Sequence, residues 1–297
     1  MSRTRYVFVG NRFYVLEEML VKDLDLVRIL AVKGSHLSRV LESRRIEFSE
    51  VGAKDELISI LETTQFDRLV ANGCPFILPV SRLAGGRRTF VNVHPAALPD
   101  LRGGDPVPGA LLFGHESGAT CHLMDDGIDT GGIISRVVVE NTDDLDAGLL
   151  YQISFLAEKE VFNLALERDF SVMMPNAATP DCIYYTRRDA DLVIDFAEPA
   201  ETILRRVRAF SNRSQGARFE HRGVTFKVYR ARQVRNPYLV ERITCYAENE
   251  VVFTYEQSLL LRHGDAFLCL DAMDGDLSLI APGEVLGAET GGVKPNS

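Results

Sequence analysis

Short apolar runs alternate with helical patterns through the first half of the chain. Arg5–Gly10 is a β-rich run that ends in glycine and Asn11, the pattern of a buried parallel strand feeding a loop. A helical period follows at 15–21, a strand at 26–32, a helix at 37–44, a weaker strand at 46–51, a helix at 55–63 and a strand at 67–71. Residues 91–94 form a short strand with a sharp end. Strands that alternate with helices predict βαβ units and an open parallel sheet. Two more strands, 118–124 and 132–139, flank an acidic turn. A long helix follows residues 141–144, with Leu149, Ile153, Ala157, Val161 and Leu164 as its apolar face.

The pattern changes near residues 174–191, where two prolines and few apolar runs predict a linker. Beyond it, 201–211 reads as a helix that buries Ile203, Leu204, Val207 and Phe210. Short strands then recur at 224–229, 243–246, 251–255, 259–262 and 266–270, which predict a small, barrel-like β domain. The expected fold is α/β: a Rossmann-like, mostly parallel sheet with helices on both faces over 1–190, then a smaller, mainly β C-terminal domain over 191–297, opened by a helix.

Composition narrows the class. The chain has 297 residues, 46% hydrophobic and 25% charged, which excludes disordered and fibrous proteins. No run approaches the ~20 apolar residues of a membrane span. The first apolar stretch is too short for a signal peptide, so the expected location is the cytoplasm. The five cysteines stand singly, which predicts free thiols and neither a disulfide frame nor a zinc site; no metal is expected. A net charge of −9 weighs against broad nucleic-acid binding.

Three features carry candidate chemistry. Asn92 and His94 stand two apart on a strand, so both point to one side at its carboxyl end, where open α/β sheets place ligands. Residues 98–106 are a loop rich in glycine and proline. Residues 124–132 form an acidic turn that can carry Asp129 to His94. An amide, an imidazole and a carboxylate suit acyl transfer: the carboxylate favours the imidazolium, and imidazolium and amide bind a developing oxyanion. On spacing alone, His94 also reads as a structural hydrogen-bonding residue, and the aspartates as turn formers.

Asn92-Val-His94, Leu98-Pro99 with Arg102-Gly103, and Asp126-Gly-Ile-Asp129-Thr-Gly131 resemble, in order and spacing, the folate-dependent formyltransferase family. Thr186-Arg-Arg-Asp189 with Val193-Ile-Asp-Phe196 resembles the signature of its sugar N-formyltransferases. The resemblance implies 10-formyltetrahydrofolate as co-substrate and Asn92, His94 and Asp129 as the catalytic set. It implies a donor pocket lined by Phe76, Ile77, Leu78, Asp125, Asp126 and Ile128, and an acceptor side that includes Arg102, Gly103, Asp105, Arg187 and Arg188.

The acceptor is then a primary amine. The long basic insertion usual after the second strand of the tRNA enzymes is missing here, and the charge is acidic. The expected partner is therefore a nucleotide-linked amino sugar, with nucleic acid and membrane disfavoured. Methionyl-tRNA, a hydroxyornithine-type amine and simple hydrolysis of the donor remain alternatives, as does a catalytically silent folate- or nucleotide-binding protein. Ten Lys/Arg against two acids over 201–235 read either as a phosphate-binding face or as a solvated face with a homodimer or domain contact.

Overall fold

The computed structural model describes residues 3–85 and 87–287. They divide into two units: one holds the chain to Val107 with Glu116–Asn141 and Tyr151–Thr186, the other Pro108–His115, Thr142–Leu150 and the chain from Arg187.

The first sheet is built from β1 (Arg5–Gly10), β2 (Asp25–Val32), β3 (Ser49–Val51), β4 (Arg68–Asn72), β5 (Thr89–His94), β6 (Ser117–Leu123) and β7 (Ile133–Val139). Its order is β3-β2-β1-β4-β5-β6-β7. β1 to β5 run parallel, and β6 and β7 are antiparallel additions at one edge. The helices that connect and follow them are α1 (Tyr14–Val21), α2 (His36–Arg44), α3 (Lys54–Thr63), α4 (Val80–Leu83), α5 (Pro106–Phe113) and, after β7, α6 (Ala147–Glu167).

Strand periodicity sorts the side chains to two faces. Tyr6, Phe8, Ile29, Ala31, Val70, Val91 and Val93 pack with Leu16 and Met19 of α1, Leu37 and Leu41 of α2, and Val161 and Phe162 of α6. Val7, Val9, Leu30, Leu69, Ala71 and Phe90 pack with Leu57 and Leu61 of α3 and Leu83 of α4 on the other. Both faces are covered, which is why these strands read as unbroken apolar runs.

The chain winds outward from β1 to β3, then crosses back to β4 on the other side of β1. Ligand crevices open at such a reversal, at the carboxyl ends of the strands. Here the two backbones nearly touch. A Cβ on Gly10 would lie 2.0 Å from the carbonyl oxygen of Asn72, so only glycine fits.

Several local expectations are corrected. Leu149 on α6 is 48% exposed, and the buried face of the helix from residue 151 on includes the polar Ser154 and Glu158. Residues 106–113 form a helix that the loop pattern of 98–106 does not predict. Its prolines stand in the first turn, where an amide hydrogen has no helical partner.

The second unit holds a separate antiparallel sheet. Its elements are α7 (Ala200–Ala209), β8 (Ala217–His221), β9 (Val224–Val234), α8 (Pro237–Val240), β10 (Val251–Tyr255), β11 (Ser258–His263) and β12 (Ala266–Asp274). The order β10-β11-β12-β9-β8 leaves β10 and β8 as ends, so among the described residues the sheet is open and not a closed barrel. α7 buries Ile203, Val207 and Phe210 as expected, while Leu204 is only half-buried. The strand expected at 243–246 is a 3₁₀ turn, Ile243–Cys245. Leu239, Ile243 and Tyr246 are spaced by four and three, a helical period, and they pack on Leu260, Phe267 and Cys269.

Because the methyl group of alanine has nowhere to go at the β1–β4 contact, Gly10→Ala should destabilise the chain by about 1–3 kcal/mol. Urea unfolding followed by circular dichroism measures it, and an unchanged midpoint would show that the two strands are free to part.

Candidate active site

β5 ends where the first sheet opens, and it carries Asn92 and His94 two residues apart at that end. β6 runs antiparallel beside it and sets His122 directly opposite Asn92. Beyond β6 the chain turns through 124–131 and brings Asp129 back over the strand ends, in left-handed backbone (φ +52°) that aspartate tolerates better than most residues. Asn92, His94 and Asp129 thus come together as the spacing predicts, and His122 joins them.

Two backbone carbonyls fix the protons of the imidazoles. His94 Nε2 lies 2.9 Å from the Leu101 carbonyl oxygen, and His122 Nδ1 lies 2.7 Å from that of Leu123. A carbonyl oxygen only accepts, so each of these nitrogens carries the hydrogen, and in the neutral ring the other nitrogen is bare. The second nitrogen of each ring faces Asp129: His94 Nδ1 is 3.6 Å from one carboxylate oxygen and His122 Nε2 3.5 Å from the other. The Asn92 amide stands between them, 3.3 Å from His122 Nε2 and 3.3 Å from Asp129 Oδ1.

The charges follow from burial and partners. Burial alone would push the Asp129 carboxyl up. The neighbouring His94 and His122 and the Gly103 amide hydrogen, 3.0 Å from Oδ2, outweigh it and hold the group ionised well below the usual range. For His94 the balance runs the other way. Burial pushes its pKa below the ordinary value, and the facing carboxylate only partly offsets this. The balance for His94 therefore lies toward the neutral ring and against the imidazolium expected from sequence.

The loop of 100–105 is shaped to serve the same cluster. Leu101 adopts left-handed backbone (φ +56°), which aims its carbonyl at His94, and Asp100 Oδ1 accepts from the Leu101 and Ile183 amides at 2.8 and 2.7 Å. The Arg102 guanidinium turns to Asn176, 2.9 Å from its carbonyl oxygen and 3.1 Å from Oδ1. Asn176 in turn donates from Nδ2 to the carbonyl oxygens of Asp129 and Gly131, at 2.8 and 3.0 Å.

A cavity of about 440 Å³ opens over these groups. Phe76, Ile77, Leu78, Asp125, Ile128 and Gly103 line it with the catalytic candidates, as do Arg12, Tyr184 and Thr186. Asp126 is turned away and accepts from the Ser81 amide at 3.0 Å, which ties the 125–129 loop to α4. Neither Arg102 nor Asp105 lines the cavity. Arg187 and Arg188 belong to the second unit, where Arg188 pairs with Asp191 at 3.4 Å.

His122 and Asn176 escaped the sequence reading. The strand pairing of β5 with β6 could have pointed to His122; Asn176 lies in a stretch read as linker and gave no signal. Among the described residues no group of three His, Cys, Asp or Glu side chains is arranged to hold a metal ion.

Comparison with known proteins agrees with this layout. Residues 29–166 match the formyl transferase family, and residues 188–292 match the formyl transferase C-terminal domain. The chain belongs to the formyl transferase family. A methionyl-tRNA formyltransferase of Methylibium petroleiphilum is 33% identical over 175 residues, a match of 58% of this chain and 55% of that protein. The chain spans little more than half the length of the curated relatives it matches. A sugar 3N-formyl transferase solved in the presence of dTDP and 5-N-formyl-THF superposes with a TM-score of 0.70 at 18% identity, over 91% of this chain and 98% of its own. An N-formyltransferase of Helicobacter canadensis, in complex with folinic acid and dTDP-3-aminofucose, gives 0.69 at 18% identity, over 91% and 99%. At these identities the likeness is one of fold.

The charge assignment has a sign that can be checked. By heteronuclear NMR, His94 should titrate with a midpoint below the ordinary value of about 6.5. Asp129→Asn should lower it further, because the carboxylate is the influence that raises it. A midpoint above 7 would restore the imidazolium.

Proposed function

We propose that the chain transfers a formyl group from 10-formyltetrahydrofolate to a primary amine, and that the amine belongs to a nucleotide-linked amino sugar. Asn92, His94 and Asp129 gathered at the floor of one cavity are the observation that carries this reading. The cavity suits the donor: Phe76, Ile77 and Leu78 offer an apolar wall to a flat ring, and the 125–128 loop offers backbone groups opposite.

The chemistry needs an oxyanion donor and a group that moves one proton. As the acceptor nitrogen attacks the formyl carbon, the Asn92 amide donates to the oxygen as it becomes an oxyanion. His94 Nδ1, bare at rest, takes the proton released by the amine. The resulting imidazolium faces the Asp129 carboxylate, which stabilises it. His94 then returns that proton to the folate nitrogen as its bond to carbon breaks, leaving the formamide and tetrahydrofolate. The neutral resting histidine fits this order better than a charged one, since a charged ring has no bare nitrogen to receive the proton.

Sugar nucleotides are favoured by the fold neighbours, whose names carry dTDP and dTDP-3-aminofucose. The short turn from β2, ending at Val32, to α2, beginning at His36, leaves no insertion to grip an acceptor stem, and the net charge of −9 repels a nucleic acid. The identity to methionyl-tRNA formyltransferases supports the second reading, a tRNA acceptor. In this proposal residues 1–190 carry the transfer site and 191–297 a smaller domain. The free cysteines suit a reducing cytoplasm, and among the described residues no helix is long and apolar enough to cross a membrane.

An acceptor panel decides. With 10-formyltetrahydrofolate as donor, tetrahydrofolate release should depend on an amino-sugar nucleotide; release with methionyl-tRNA alone would shift the reading to tRNA, and release without any amine to hydrolysis. Asn92→Ala should lower kcat by about 100- to 1,000-fold with folate affinity nearly intact, the usual cost of one oxyanion donor. A variant that keeps a tenth of the wild-type rate would remove Asn92 from the chemistry.

A further inference from the structure

The stretch from Met174 to Tyr185 has the composition of a linker and the contacts of a strap. Met174 bridges to Ile133 at the start of β7. Asn176 follows. The Arg102 amide then donates to the Ile183 carbonyl at 3.1 Å, and the Tyr185 amide to the Arg102 carbonyl at 2.8 Å. The strap is therefore sewn to both loops that shape the cluster, 100–105 and 125–131. The Asn176 side chain reaches both. Its oxygen accepts from Arg102, and its amide donates to the carbonyl oxygens of Asp129 and Gly131, on either side of Thr130.

Two bonds from one amide to two carbonyls around a turn fix the orientation of that turn. The Asp129 carboxylate projects from it to the Gly103 amide and toward His94 and His122. At Asp129 the backbone is left-handed, a conformation that needs outside support to persist. Resting on the formyl-transfer reading, we propose that Asn176 is a positioning residue for the reaction: its amide holds the Asp129 turn so that the carboxylate faces the His94 ring. It does not line the cavity. The Arg102–Asn176 bond fastens the acceptor-side loop to the same point, beside the direct bond from the Gly103 amide to the Asp129 carboxylate.

Two variants separate this role from plain stability. Asn176→Ala loses every side-chain bond. Asn176→Asp keeps an oxygen for Arg102 but can no longer donate to the two carbonyls. Each is assayed as the full chain with 10-formyltetrahydrofolate and dTDP-3-aminofucose, beside the melting temperature, the Kd for tetrahydrofolate and the His94 NMR titration. Both variants should lose about 10- to 100-fold in kcat, the scale of an ångström's misplacement. Tetrahydrofolate Kd and acceptor KM should stay within about twofold in both variants, and in Asn176→Ala, which adds no charge, the His94 midpoint should move toward that of Asp129→Asn. Both variants should lower the melting temperature, with the loss of kcat persisting at temperatures where each is fully folded. An unchanged His94 midpoint in Asn176→Ala overturns the proposal, as does a kcat that recovers in the fully folded variants or a loss that appears only with weakened folate binding. If the wild type itself transfers no formyl group, the functional reading falls, and the titration alone still decides whether Asn176 orients Asp129.

Discussion

A carboxylate with only 11% of its side chain exposed must be surrounded by donors or lose its charge. Asp129 meets that demand with the Gly103 and Asn92 amides and faces the His94 and His122 rings, partners drawn from the 100–105 loop, β5 and β6. The demand explains much of the surrounding backbone. β6 must run antiparallel to β5 for His122 to stand opposite Asn92. The 100–105 loop must pass close enough for a backbone amide to reach the carboxylate, and the turn at Asp129 must take a left-handed form. The sheet below supplies a rigid floor, packed on both faces, against which these loops are held.

Buried charge recurs on the cavity wall. Glu158 of α6 is fully buried and pairs with Arg12, whose guanidinium also lies 5.5 Å from the centre of the Phe155 ring. Burial holds the carboxyl of Glu158 above its ordinary range, and the arginine only partly offsets this. Breaking such a pair by removing one partner leaves an uncompensated ion and is costly, whereas the intact pair adds little to stability. The pair fixes the direction of a side chain that lines the cavity, which fits a role in shape more than in strength.

The parallel strands were legible because both faces of the sheet are covered, and their sequences are apolar without interruption. Asn92, His94 and Asp129 were legible because strand spacing and a glycine-rich turn are local signals. What escaped has a common cause: long-range pairing. His122 is an ordinary residue of an apolar strand until β6 is laid against β5. Asn176 sits among prolines and alanines and acquires meaning only from carbonyls more than forty residues away. The resting charge of His94 was misjudged for a similar reason, since the facing carboxylate could be inferred from the motif, while the depth of burial could not. Leu149 and the 243–246 segment failed on period alone, where short apolar runs fit more than one element.

The two carbonyls that hold the imidazole hydrogens belong to Leu101 and Leu123, yet neither leucine side chain takes part. What matters is the direction of a peptide group, and at Leu101 that direction comes from left-handed backbone. Many side chains could stand at either place with the same effect, provided the path of the chain were kept. The protonation pattern of this site is thus a property written in the backbone and in no letter of the alphabet. Two homologues could share Asn, His and Asp at every matching position and still differ in which nitrogen of each ring is free to receive a proton.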